Sequence, residues 1–307
     1  VNLGSLGLEA MRRQLAGNGL ALRIAPLTVR VRSRVPHLPE QIFHLYQDHA
    51  VADAADFADI DVRMFSTAKR HSWRHATQVQ FVVDGTTPFD PFPSVHALPM
   101  FEWGLNWVFA HRMHDHLLLH AAVLARDDRA ILLPAWPGSG KSTLAASLAC
   151  RGWRYLSDEF GVVRFAGSEV VPFVRPTALK NESIDVMRQW VPPEVLGDTF
   201  VATRKGTVVH CRPPSPSVAQ GAVPATIVAV VFPDFKAGAP VRLLPLPQAA
   251  TFLKLAGNAF NYEVVGERGF RTVARIVRTC DSCILQYGDL ADAHAAIEEV
   301  FERALKR

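Results

Sequence analysis

Ala130-Ile131-Leu132-Leu133-Pro134-Ala135-Trp136-Pro137-Gly138-Ser139-Gly140-Lys141-Ser142-Thr143 sets an apolar run, a glycine-paired turn and a Lys-Ser-Thr tripeptide in one line. The apolar run has the length and composition of a buried strand, and the glycines let the backbone bend round an anion. Lys141 then opens a helix over 142–151, whose first N–H groups and positive dipole end face the turn. In such a phosphate-binding loop the lysine reaches the β- and γ-phosphates and the Ser142 hydroxyl ligates Mg²⁺. The first glycine of the usual G-x-x-x-x-G-K-[ST] pattern is replaced by Ala135.

A flexible surface turn would also tolerate Gly-Ser-Gly, so context has to separate the two readings. A strand precedes the turn, Leu144, Ala145 and Leu148 give the following helix an apolar side, and a second apolar stretch leads to Asp158-Glu159. These acids lie 17 and 18 residues after Lys141, one helix and one strand away. The spacing makes the strand over 153–157 an expected neighbour of the loop strand, with its acids placed to hold the metal or activate an attacking hydroxyl. ABC-type and motor ATPases carry their second acidic motif much farther along, which argues against that class.

Composition sets wider bounds. At 307 residues, 49% hydrophobic and 20% charged, the chain can bury a sizeable core, with a prior of about two domains. A net charge of +4 with dispersed cations (Arg12, Arg13, Arg30, Arg32, Arg70, Arg74) gives no basic block and no reason to expect nucleic acid as a partner. Four cysteines do not form a disulfide framework, and the lone Cys280-x-x-Cys283 reads as reduced structural thiols rather than a zinc or redox site. No secretory signal is visible at the start, and the longest strongly apolar run, 225–232, is far short of a spanning helix. A cytoplasmic protein without membrane association is the expectation.

The first hundred residues read as a small α+β module: a helix over 8–16, then strands near 21–24, 28–32, 61–65 and 77–83. The closely spaced prolines at 88–93 predict a loop and mark the domain boundary, before a helix over 101–111 carrying Trp103, Trp107 and Phe109. Strands over 117–124 and 130–133 form a hairpin round Arg126-Asp127-Asp128-Arg129, and 161–165 is a further strand. Residues 174–224 read as a loop-rich middle. The last third alternates strands at 227–232, 241–246 and 283–286 with helices at 248–257, 267–279 and 290–305. Residues 1–114 are thus expected to be an N-terminal accessory domain and 115–307 the α/β catalytic domain.

Three stretches in order, Leu118-Leu119-His120-Ala121-Ala122, Pro137-Gly138-Ser139-Gly140-Lys141-Ser142 and Arg151-Gly152-Trp153-Arg154-Tyr155-Leu156-Ser157-Asp158-Glu159, resemble the core of HPr kinase/phosphorylase. That family has a histidine before its P-loop strand and an Asp-Asp pair at the end of its next strand. The chain is most similar to the HPr-kinase-related kinase A subfamily, through Arg175-Pro176-Thr177-Ala178-Leu179-Lys180-Asn181, Lys205-Gly206-Thr207-Val208 and Asn258-Ala259-Phe260-Asn261-Tyr262. The resemblance to HPr kinase covers about 40 residues, and that to the subfamily most of the chain from Leu117 onward.

The resemblance implies a P-loop, HPr-kinase-like α/β fold and transfer of the γ-phosphoryl group of ATP, with Mg²⁺, to a serine of a protein or a ribosomally made peptide. It implies His120 as the active-site histidine, Lys141 as the phosphate lysine, Ser142 and Asp158 at the metal and Glu159 as the carboxylate that takes the serine proton. Pro137, Gly138, Ser139, Gly140, Lys141, Ser142 and Thr143 would form the nucleotide cradle. Glu159 stands where the family has its second Asp, one methylene longer, which leaves the base role open between Asp158 and Glu159. The family's downstream glutamate signature has no clear counterpart, Glu182 being a weak substitute, so reverse phosphorylase activity is not implied. The subfamily is associated with small PqqD-like peptide-binding proteins as partners, and a homo-oligomer is left open. Arg175, Lys180 and Lys205 are further candidates to clamp phosphate oxygens. Two other readings stay beside this one: a small-molecule kinase of the shikimate-kinase type, and a catalytically silent nucleotide-sensing module.

Overall fold

The computed structural model describes residues 1–53, 56–67, 77–136 and 138–306. Pro137 of the loop, and Arg70 and Arg74, lie outside the described residues. The chain is a mixed α/β protein with three sheets.

Within the first hundred residues the strands run Val51–Ala52, Leu20–Ile24, Leu27–Ser33, Ile60–Thr67, Gln78–Val83 and Phe92–Pro93 across a six-stranded sheet. Alternation decides which face is covered: Val29, Val31 and Ser33 of Leu27–Ser33 are buried and their neighbours are not. Helices Leu8–Ala16, Leu38–Tyr46 and Ala97–Arg112 supply the covering layer through Met11, Leu15, Ile42, Leu45, Phe101 and Leu105. The same apolar cluster continues into Leu118, Phe160, Val162 and Phe173, so helix Ala97–Arg112 is seated against strands that belong to the central sheet.

The central sheet has eight strands. In order across it stand Glu169–Val171, Phe160–Arg164, His116–Arg126, Arg129–Pro134, Ala225–Phe235, Asp281–Tyr287 and Arg242–Pro245, with Arg154–Ser157 also paired to His116–Arg126. Its inner strands His116–Arg126, Arg129–Pro134 and Ala225–Phe235 are apolar on both faces, the mark of a sheet covered on both sides. Ala122, Leu124, Ile131 and Leu133 meet helices Lys141–Ala149 and Leu290–Leu305, while Val123, Leu132 and Val230 meet helices Gln248–Gly257 and Glu267–Thr279. Arg129–Pro134, Ala225–Phe235 and Asp281–Tyr287 run parallel, and their common end carries Ser139, Phe235 and Tyr287 to the glycine loop.

Two expectations are corrected. Residues 174–224 are not a loop: Thr177–Lys180, Gly206–Cys211 and Leu196–Thr203 form a three-stranded antiparallel sheet, backed by helix Glu182–Arg188 through Leu179, Ile184, Met187 and Val209. The prolines that suggest a loop sit at its joints, Pro193 opening a 3₁₀ turn and Pro214 capping the short helix Ser215–Ala219. The strand before the acids is also not a neighbour of the loop strand. Arg154–Ser157 pairs with the other edge of His116–Arg126, which therefore lies between them.

Candidate active site

The glycine loop is shaped by what stands behind it. Gly138 and Gly140 both have left-handed backbones, φ 89° and 83°. A Cβ on Gly140 would run into the Tyr287 hydroxyl and come within 2.9 Å of Phe235 Cβ, so this position demands glycine on space as well as on conformation. Tyr287 Oη donates to Gly140 O at 3.3 Å, and the Phe235 N–H donates to Ser139 O at 3.2 Å. Ala135, where the pattern has glycine, is buried, is not among the positive-φ residues and donates its N–H to His120 O at 3.3 Å. An L-residue therefore fits there.

Helix Lys141–Ala149 begins at the last glycine. Its first N–H groups have no partner inside the helix and, with the dipole, favour an anion at the loop. The Ser139 hydroxyl oxygen is buried with no hydrogen-bond partner, a polar atom that a phosphate oxygen would satisfy. The residues thus suit a nucleotide polyphosphate, Gly138, Ser139, Gly140, Lys141, Ser142 and Thr143 being brought together as the spacing predicts.

Lys141 is buried, and its Nζ donates to the main-chain oxygen of Asp158 and, at 3.0 Å, to Asp158 Oδ1. Both side chains of the pair are 7% exposed. The acids occupy a break between two strands, Arg154–Ser157 and Phe160–Arg164, that follow one edge of His116–Arg126 in sequence. Ser157 Oγ accepts the Phe160 N–H at 3.1 Å, which holds the break in shape.

His120 faces Phe160 in this ladder and stands at the point where the loop strand turns away. Asn258 fills the resulting gap: its carbonyl accepts the His120 N–H at 2.8 Å and its Nδ2 donates to His120 O at 2.9 Å. Asn261 does the same for Leu118 and His116. The segment 258–262 therefore braces the histidine strand and does not enter the loop, while the Phe260 ring lies 5.4 Å from that of His120.

Charges couple these side chains. Burial pulls the His120 imidazole below its ordinary range and Lys141 pulls it further, so the ring is neutral at pH 7. For Glu159 burial favours the protonated form, but Lys141, His120, Lys180 and Lys205 together outweigh it and keep the carboxyl below the usual range. Glu159 is ionised at neutral pH.

The structure separates the remaining candidates. Arg175 is buried and bonded to Glu102 Oε2 at 2.6 Å and to Asn106, while Tyr46 Oη donates to Glu102 Oε1 at 2.7 Å; the Arg175 Nε is buried without a partner. That guanidinium holds helix Ala97–Arg112 to the sheet and is already committed. Lys180 and Lys205 stand with it along one small cavity beside Glu159, and neither is tied to a carboxylate as Arg175 is among the described residues. Glu182 starts a helix and is exposed. The cysteines are all free, Cys280 and Cys283 both buried, as the reading of reduced thiols expects.

Among the described residues no set of three or more His, Cys, Asp and Glu side chains converges on a metal position. Mg²⁺ takes one or two protein oxygens and draws the rest from phosphate and water, and Ser142 and Asp158 are the side chains that would hold it. Glu102 and Tyr287 carry no motif of their own, and sequence reasoning missed what they do; Asn258 lies in a segment that the resemblance singles out, but its bracing of His120 was not foreseen. Among the described residues no helix is long and apolar enough to cross a membrane. No protein-family model matches this chain, and no curated protein is significantly similar to it.

Proposed function

We propose that the chain is an ATP- and Mg²⁺-dependent kinase of the HPr-kinase-like class, acting in the cytoplasm on a hydroxyl, with serine of a protein or peptide as acceptor. The observation that carries this is the side-chain bridge from Lys141, at the loop–helix junction, to Asp158, with ionised Glu159 next in the chain. It supports a phosphate cation, a metal-side carboxylate and a base-side carboxylate drawn to one place by two separate segments.

When bound, Mg²⁺·ATP supplies a transferable γ-phosphoryl group with its charge partly neutralised by the metal. Lys141 then has two competing partners, Asp158 and the β- and γ-phosphate oxygens. Ser142 and Asp158 hold the metal, and Glu159 accepts the proton of the acceptor hydroxyl. His120, uncharged at pH 7, offers one hydrogen bond beside Glu159 without placing a further cation there. Glu102, Trp103 and Asn106 of the N-terminal segment border the Glu159 side, which supports a part for residues 1–114 in holding the acceptor. A PqqD-like peptide-binding partner fits the same reading.

Calorimetric titration with Mg²⁺·ATP, followed by assay of γ-phosphoryl transfer to seryl peptides encoded beside the gene, tests it. Binding that needs Mg²⁺ and Lys141 is expected. No binding at millimolar nucleotide would sink the reading.

A further inference from the structure

Beside Glu159 lies a recess of about 30 Å³ between helix Ala97–Arg112 and the three-stranded sheet. At roughly 10–15 Å³ per water-sized centre it admits the two or three oxygens that a small oxyanion turns inward, the remainder of the guest lying at its open mouth. Its wall includes His210, which is 1% exposed and has neither ring nitrogen hydrogen-bonded. A buried imidazole with both nitrogens unsatisfied is costly unless a ligand supplies the partner. Burial, foremost, and the cations Arg175 and Lys180 keep this ring neutral, with a pKa pushed down to about 4, so it has one N–H to donate.

The charge around the recess is unbalanced. Lys141 is paired with Asp158 and Arg175 with Glu102, which leaves Lys180 and Lys205 facing Glu159 alone. Neither lysine ammonium makes a salt bridge among the described residues, and Lys205 rests its Nζ 5.1 Å from the Trp103 ring. Lys205 sits below its ordinary range, first through burial and then through Lys180. Two cations and a neutral donor at a pocket sized for a few oxygens make the local field and the unfilled hydrogen bond point to one kind of guest.

We propose that this recess is an oxyanion site, in which Lys180, Lys205 and the His210 N–H hold a carboxylate or a phosphate. Resting on the kinase reading, the anion is a group of the acceptor itself, seated so that the acceptor's hydroxyl lies beside Glu159. The acceptor class narrows to hydroxyl compounds or peptides that carry a carboxylate or phosphate close to the reacting oxygen.

The probe is inorganic phosphate, titrated into the full chain and read by the ring C–H resonances of His210 in ¹H–¹³C NMR, assigned with His210→Gln. The His210 resonance is expected to shift with phosphate. The pair Lys180→Gln and Lys205→Gln should weaken that response about tenfold or more, through loss of charge-assisted bonds, and Lys180→Arg with Lys205→Arg should restore it. Acetate that displaces phosphate identifies a carboxylate guest, and failure to displace it a phosphate. An unmoved His210 resonance, or a shift indifferent to both lysines, overturns the site. No nucleotide enters this titration, so its failure leaves the kinase reading standing. Loss of Mg²⁺·ATP binding with the phosphate response intact would remove that reading and keep the oxyanion site.

Discussion

Lys141 Nζ lies 3.0 Å from Asp158 Oδ1, both side chains withdrawn from solvent, so the loop lysine and the first acid form one buried ion pair. The two come from opposite sides of the strand His116–Arg126, and their bridge joins the loop helix to the break between Ser157 and Phe160. Such a pair adds little net stability while intact, but removing one partner strands a charge, at a cost of about 3–5 kcal/mol. Lys141→Ala is therefore expected to abolish Mg²⁺·ATP binding and also to lower the unfolding midpoint. Lys141→Met combined with Asp158→Asn separates the two effects: stability should recover in urea titrations, and nucleotide binding should not.

Gly140 and Gly138 share a left-handed backbone but not surroundings. Gly138→Ala meets open space and should cost only the strain of φ 89°, about 1 kcal/mol. Gly140→Ala drives a methyl against Tyr287 and Phe235, displacing the loop, and should lose nucleotide binding as well as stability. Tyr287→Phe in that background removes the obstructing oxygen and should recover part of the melting temperature. Equal behaviour of the two alanine variants would contradict this account of the loop.

Stability should fall as the pH drops below that of free histidine. A histidine with a lowered folded pKa leaves the folded state with fewer bound protons than the unfolded chain, so stability is full above the unfolded pKa and is lost as pH falls toward the folded one. His210 and His294 both have pKa values pushed down to about 4, chiefly by burial, and His49 and His120 shift the same way. For His210 alone, moving from pH 7 to pH 5 should cost about 2 kcal/mol. Urea midpoints across that range check this, and His210→Gln should flatten the slope. A pH-independent midpoint would mean that the ring is charged or solvated.

What was legible in the sequence follows from how local the signals are. Helices Leu8–Ala16, Gln248–Gly257, Glu267–Thr279 and Leu290–Leu305 end where their periodicity says, and Asp289 caps the last by accepting the N–H groups of Ala291 and Asp292. The loop, the hairpin that feeds it and the acids that close on Lys141 were likewise readable, because each is a short motif. The three-stranded sheet was not, since Thr177–Lys180 finds its partner in Gly206–Cys211, about thirty residues on, past a run of prolines. Helix Leu38–Tyr46 was missed because it starts at Leu38-Pro39 behind His37 in a left-handed turn, not behind an ordinary cap. The recess was invisible for a third reason: Glu102, Glu159 and His210 come from three distant segments. The one available signal was a histidine at an inward position of the strand Gly206–Cys211, where Val208 and Val209 are buried with it.

The accessory segment should not be separable from the rest. Arg175 bonds Glu102 at 2.6 Å, the His49 Nε2–H donates to Val174 O at 2.9 Å, and Gln41 bonds Asp198 at 2.9 Å. Leu118, Phe160, Val162 and Phe173 belong to the same apolar cluster as Phe101 and Leu105. A chain beginning at Phe101 cuts helix Ala97–Arg112 and uncovers that surface, so it is expected to aggregate or to lose its cooperative transition. A soluble truncation with an unchanged melting curve would show that the first hundred residues are a free-standing attachment.

Asp158 and Glu159 are adjacent, yet their surroundings give them different work. Asp158 also lines the recess, but it is buried and bonded to Lys141 of the glycine loop, where a carboxylate can share a metal with Ser142. Glu159 is only half-buried and faces Lys180, Lys205 and the recess, where an acceptor can approach. Asp158→Asn should therefore weaken Mg²⁺-dependent nucleotide binding. Glu159→Gln should leave that binding near normal and cut turnover by ~10²–10⁴, the usual worth of general-base assistance. Because nearby cations hold Glu159 below the ordinary carboxyl range, it is already deprotonated at pH 6, and its titration should add no acid limb to turnover above about pH 5. Calorimetry beside single-turnover phosphoryl transfer measures both quantities on each variant. Weakened nucleotide binding in Glu159→Gln with unimpaired binding in Asp158→Asn would exchange the two assignments.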